Sequence, residues 1–154
     1  MKLAYTYDNH HNAGAEWEQR DLKEWLTDVF EVPALKIAPR CTSEVRKHVE
    51  DEFLKEGWAL NVYLDQGHGL SVFAMRDDLA FQLQTGNMSR APYDLLKLQY
   101  LFQSKRIEAA ALALPTKEAA KIIGDNIAQA ERVIKELELF DRVITVPILV
   151  VAFE

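Results

Sequence analysis

The stretch LAFQLQTGNMSRAPYDLLKLQYLFQ, Leu79 to Gln103, changes its hydrophobic period halfway along. Leu79, Phe81, Leu83 and Thr85 share one side of a strand, and Ala80, Gln82 and Gln84 the other, because successive side chains in a strand alternate faces. Gly86 and Asn87 break the strand. Pro92 then falls in the first turn of a helix running to about Gln103, whose Leu95, Leu98, Leu101 and Phe102 form an apolar face. A strand that presents two glutamines side by side and feeds a helix with an inward stripe is the centre of the fold.

Upstream, Trp58, Leu60, Val62 and Leu64 alternate with polar or small residues, which predicts a strand with one buried face. Asp65 to Gly69 reads as a turn, Leu70 to Met75 as a second strand, and Arg76, Asp77 and Asp78 as a tight connection to Leu79 to Thr85. Three successive antiparallel strands are expected. Before them, Leu22, Trp25, Leu26, Val29 and Phe30 recur at helical spacing and predict one helix from Glu16 to Phe30, ended by Pro33. A brief strand is expected at Ala34 to Ala38. Thr42 or Ser43 then caps a helix carrying Val45, Val49 and Phe53, closed by Gly57. Downstream, Ile107 to Leu114 reads as a strand covered on both sides, Thr116 caps a short helix stopped at Gly124, and Asn126 caps another through Leu137. Lys2 to Tyr7 and Val143 to Phe153 complete the strands, with Pro147 pointing to a bulge or an edge position. The fold class is α/β, a mixed sheet with helices packed on it.

The chain has 154 residues, 49% of them hydrophobic, so a core forms without disulfide staples, and a single domain over 1–154 is expected. The lone Cys41 fits a reducing compartment, and no apolar run approaches the roughly 20 residues of a membrane span, so a cytoplasmic protein with no membrane partner is expected. Eighteen Lys and Arg against 24 acids give a net charge of −6, a field that repels polyanions as a whole. Local basic groups remain for a binding face: Arg40, Arg46, Lys47, Arg90, Lys97, Lys105 and Arg106.

The residues Phe81 to Met88, then Asp94, Leu95, Leu96 and Lys97, resemble the BglII-type branch of the PD-(D/E)XK restriction endonucleases. In that branch a strand bearing a Glu-x-Gln triplet runs through a Gly or Asn turn into an Asp-Leu-rich helix. His11, Gly14 and Glu16 resemble the family's N-terminal His-x-x-Gly-x-Glu spacing, and the helix, three strands, helix, strand order matches its core. The resemblance implies a restriction-endonuclease-like domain that engages double-stranded DNA, with Mg²⁺ as cofactor if the site is active, and a homodimer suited to palindromic sites. Asn87, Arg90, Lys97, Lys105 and Arg106 are the implied DNA contacts.

One departure decides the mechanism. Gln82 stands where the family carries a metal-binding glutamate, and no aspartate lies between Gln66 and Arg76 on the preceding strand. An amide keeps an acceptor oxygen but loses the charge that draws a divalent ion. The catalytic set is therefore Gln82 and Gln84 with Asp65 or Asp77, the metal candidates are Asp65 and Asp94, and cleavage is expected to be impaired. The alternative is a catalytically inactive nuclease-fold module or regulatory subunit that binds another protein.

Plainer readings stand beside these. Gln82 and Gln84 also suit a solvent-facing strand. His10 and His11 are adjacent, so their side chains diverge in an extended chain and argue against a metal site. Cys41 and His48 lack a third orienting group for a nucleophile–base pair. Trp17, Trp25 and Trp58 read as core rather than as base-stacking platforms.

Overall fold

The period-two segment folds into β2 (Ala59–Tyr63), β3 (Ser71–Arg76) and β4 (Leu79–Leu83), paired antiparallel in sequence order. The computed structural model describes residues 1–154. From β4 the pairing turns parallel, to β5 (Ala109–Pro115) and then β6 (Ile148–Phe153), with β1 (Leu3–Tyr7) antiparallel on the far edge. The sheet order is β1-β6-β5-β4-β3-β2. The crossover from β4 to β5 is α4 (Ala91–Gln103), and that from β5 to β6 contains α5 (Lys117–Ile123) and α6 (Ala130–Leu139).

Helices cover both faces of this sheet. On one, α1 (Ala13–Glu18), α2 (Lys23–Asp28) and α3 (Thr42–Lys55) bury Trp17, Leu26, Val45 and Phe53 against Phe73, Phe81, Leu149 and Val151. On the other, α4 and α6 bury Leu95, Leu98, Val133 and Leu137 against Ala80, Leu112, Leu114 and Val150. Two-sided burial explains why β5 and β6 are apolar throughout. Ala109, Ala111 and Ala113 of β5 leave room for Trp17, whose indole N–H donates to the Ala110 carbonyl at 3.0 Å. Trp17 and Trp25 stack on Trp58, so the tryptophans are core.

Several elements differ from the sequence reading. The expected helix from Glu16 to Phe30 is two, because the chain turns through Asp21 at φ +55°. Helical spacing persisted across the break because both pieces bury the same side. Ala34 to Ala38 forms turns rather than a strand. The first residue before α3 is Cys41, with no side-chain cap. Asn126 is left-handed at φ +55° and α6 begins only after Gln129. Pro147 is neither bulge nor edge residue: β6 is interior, and Pro147 stands just before it, using its carbonyl to accept from Ala110 N–H at 2.8 Å. A proline entering a strand needs no ladder N–H. No helix is long and apolar enough to cross a membrane.

Arg20, just past α1, ties the first helices to the sheet. Its guanidinium donates in bidentate fashion to Asp78 in the β3–β4 turn and also to Glu16. Asp78 in turn accepts Glu108 N–H through its backbone carbonyl at 2.8 Å, starting β5. The hydrogen bonds from Arg20 hold the Asp78 carboxyl below the usual carboxylate range. Its contribution is therefore present above the unfolded pKa of 3.8 and is lost as pH falls through the lower folded value. Asp78→Asn should cost about 1 kcal/mol at pH 7, since the pair is partly exposed. In urea titrations at pH 7 and pH 3, the gap between the parent and this variant should close at the lower pH.

Candidate functional site

Alternation along β4 puts Ala80 and Gln82 on the face covered by α4, and Gln84 continues that row beyond the strand end. Both glutamines are buried, so the solvent-facing reading does not hold. What they meet is Asp94, in the first turn of α4 and 3% exposed. Gln82 donates from Nε2 to Asp94 Oδ1 at 3.0 Å, and Gln84 donates from Nε2 to Asp94 Oδ2. Lys97, one helical turn on, places Nζ 2.8 Å from Oδ1 and also donates to the Ser71 carbonyl at 3.0 Å. Position i+3 on a helix faces position i, so Asp94 and Lys97 meet without backbone cost.

The amide oxygens are used as well. Gln82 Oε1 accepts Phe73 N–H at 2.9 Å from β3, and Gln84 Oε1 accepts Gly86 N–H at 2.8 Å. These acceptors fix which end of each amide faces Asp94. A Cβ at Gly86 would lie 3.1 Å from Gln84 Oε1, a tight contact that the glutamine side chain would have to yield to. Both amides are thus committed within the protein, at the oxygen and at the nitrogen.

Above the network lies an open cleft of about 560 Å³, lined among others by Arg46, Arg90, Tyr93 and Lys97. Arg46 reaches it from α3, where its guanidinium sits 4.9 Å above the Phe73 ring and is braced by Glu50 at 2.8 Å. Arg90 makes no ion pair or side-chain hydrogen bond, and it stands exposed at the rim. Of the three lining cations, Lys97 is paired with Asp94, Arg46 is paired with Glu50 outside the lining, and Arg90 is unpaired. The cleft is cationic on a molecule of net charge −6.

A divalent magnesium ion does not fit this donor set. It requires several oxygens in near-octahedral array, with carboxylates among them. Asp94 is the one carboxylate in the cleft, and both its oxygens are engaged by Gln82, Gln84 and Lys97. The other candidates do not join it. Asp77 lies in the β3–β4 turn, at the opposite end of β4 from Gln84, roughly 15 Å or more along the strand. Its side chain is 85% exposed and is within ion-pair distance only of Arg76. Asp65 caps its own loop, accepting Gly67 and His68 N–H and pairing with the His68 ring at 2.8 Å. It borders an adjoining apolar hollow with Leu64, Leu70 and Tyr100, which shares Tyr93 and Lys97 with the cleft. Asp65 and Asp94 form no three-donor cluster of His, Cys, Asp or Glu.

The basic residues divide similarly. Arg90 and Lys97 line the cleft, and Asn87 sits at its turn, with its side chain accepting Ser89 N–H. Lys105 and Arg106 follow the other end of α4, about 20 Å away. Arg106 is spent on the Leu64 and Tyr63 carbonyls, anchoring β2. His48 hydrogen-bonds the Val29 carbonyl at 2.8 Å, so it does not serve Cys41. Sequence reasoning missed Arg46 as a residue of this site, and it missed that Lys97 is the partner of Asp94. Helical spacing could have found the second, but nothing local points from α3 to β4.

The family model described as restriction endonuclease BglII/BglIII matches residues 5–153. The crystal structure of restriction endonuclease BglII complexed with a DNA 16-mer superposes with a TM-score of 0.79 at 15% identity, covering 100% of this chain and 78% of that one. Free BglII gives 0.70 at 16% identity, covering 100% and 80%. No curated protein sequence matches.

Gln82→Glu tests the network. It would set two carboxylates against each other in a buried site and delete one donor, costing about 1–3 kcal/mol at pH 8. Lowering the pH to 4 should recover much of that loss, because a protonated glutamate donates to Asp94 again. Denaturant unfolding of the parent and the variant at the two pH values measures it.

Proposed function

Since this chain belongs to the restriction endonuclease BglII/BglIII family, we propose that it engages double-stranded DNA through the cationic cleft over β4 and α4, with phosphodiester cleavage impaired. The observation that carries this reading is the closed Gln82–Asp94–Gln84–Lys97 network beneath Arg46 and Arg90. Metal-assisted hydrolysis requires carboxylates free to hold an ion and to polarise a phosphate. Here the carboxylate is neutralised, each amide is engaged at both its oxygen and its nitrogen, and an unpaired Arg90 faces solvent.

Such a cleft suits phosphate oxygens. Arg90 is free to extend to a backbone phosphate, Arg46 is held over Phe73 at a fixed position, and Asn87 lies beside the same turn. These are positioning contacts, which give affinity and register without reading sequence. BglII itself was crystallised with a DNA 16-mer. A homodimer would place two clefts on a two-fold symmetric site.

A second reading, an inactive nuclease-fold module that binds a protein, is favoured by the hollow beside the cleft. Tyr93, Leu96 and Tyr100 are exposed around it on α4.

Fluorescence anisotropy with a labelled duplex of about two helical turns separates the two. DNA engagement predicts affinity at low salt that falls steeply between about 50 and 200 mM and does not change with EDTA. Arg46→Ala with Arg90→Ala should weaken binding at least tenfold and reduce the salt slope by about two, near 0.9 per lost phosphate contact. Plasmid nicking with Mg²⁺ or Mn²⁺ should be absent. No binding at low salt would favour the protein-binding module. Mg²⁺-dependent nicking abolished by Asp65→Ala or Asp77→Ala would overturn the impairment.

A further inference from the structure

We propose that His10, His11 and Asp141 form a binding site for a divalent transition-metal ion of the Zn²⁺ class, at the end of the sheet opposite the cleft. One ligand atom from each residue lies within 4.8 Å of those of the other two, and no other set of three His, Cys, Asp or Glu donors does so. Adjacent histidines in an extended chain point apart, but these are not in an extended chain. His11 and Asn12 are left-handed, at φ +49° and +61°, and form a tight 3₁₀ turn entering α1. The turn folds the two rings edge to face with centroids 4.6 Å apart.

An independent observation points to a ligand. His10 is 2% exposed, and its Nε2 is buried with no hydrogen-bond partner. Buried polar atoms in folded proteins nearly always have a partner, so this imidazole nitrogen is left available to a ligand. His11 Nε2 lies 2.8 Å from the Asp141 carbonyl and 3.2 Å from its Oδ1, so the second ring and the carboxylate are already drawn together.

The setting favours a cation. Asp141 follows the last turn of α6, a ten-residue helix whose C-terminal carbonyls carry negative partial charge. Two imidazoles and a carboxylate are the donor set of borderline ions such as Zn²⁺ and Co²⁺, and they leave a coordination position open. Zn–N distances near 2.0–2.1 Å put tetrahedral donors about 3.3 Å apart, a separation that His11 Nε2 and Asp141 Oδ1, at 3.2 Å, already meet. The place is set by register. Tyr7, at the end of β1, faces Val150 near the start of β6, whereas Gln82 and Gln84 lie towards the C-terminal end of β4. Metal at His10 and DNA at Arg90 therefore fail or succeed separately.

The test uses the full untagged chain after dialysis against EDTA. Titration with Co²⁺ should give visible d–d absorption that saturates at one equivalent and is bleached by Zn²⁺. Zn²⁺ in roughly hundredfold excess over its Kd should raise Tm by several degrees. His11→Ala and Asp141→Asn, both at exposed residues, should keep the fold by circular dichroism and weaken Co²⁺ binding at least tenfold. His68→Ala, at the other His–carboxylate pair, should leave it unchanged. The proposal is overturned by the absence of saturable binding below about 100 μM, by parent-like binding in His11→Ala and Asp141→Asn, or by loss in His68→Ala instead.

Discussion

Asp94 is the constraint around which the centre of this protein is arranged. A carboxylate 3% exposed in the first turn of a helix is costly unless its charge and lone pairs are met. Lys97 supplies the charge, and Gln82 and Gln84 supply amide donors from the strand below. The requirement then propagates outward. Each glutamine must hold its amide one way round, so each needs a backbone donor for its oxygen, and Phe73 and Gly86 provide them. One buried charge thereby links β3, β4, the turn and α4, and it specifies amides at two positions where a metal site would specify at least one more carboxylate.

The same logic shows what a sequence can disclose. Period two in Trp58 to Thr85 and period 3.6 in α4 were legible because one periodic face is buried over many residues. The family was legible from Gln82 to Lys97 because strand, turn and helix are contiguous there. Asp94 could be seen as a candidate, but its role could not. Spacing says that it lies on a helix one turn from Lys97; only the packing of α4 on β4 says that it is saturated. Arg46 could be named as an available basic group but not placed at this site, since it enters from a helix that precedes the whole β2 to β4 hairpin set.

Backbone conformation was the other blind spot. Asp21 at φ +55° splits a helix whose side-chain pattern runs straight through, and His11 at φ +49° reverses the argument that neighbouring histidines diverge. Neither position is glycine, so composition offers no warning, although Asn, Asp and His tolerate the left-handed region better than most residues. Pro147 misled in the opposite direction. Its missing N–H was read as an edge or a bulge, but a strand's entry satisfies the same condition within an interior strand.

The single carboxylate of the cleft also shapes what it does to an anion. In a nuclease site, clustered carboxylates repel phosphate until a divalent ion neutralises them, so substrate engagement and metal are coupled. With glutamine at 82 and Lys97 on Asp94, the cleft presents no unpaired carboxylate, and Arg90 is the lining cation without an ion pair. Arg90 at the rim therefore meets an anion with no unpaired carboxylate opposing it in the cleft, on a molecule whose overall charge is acidic.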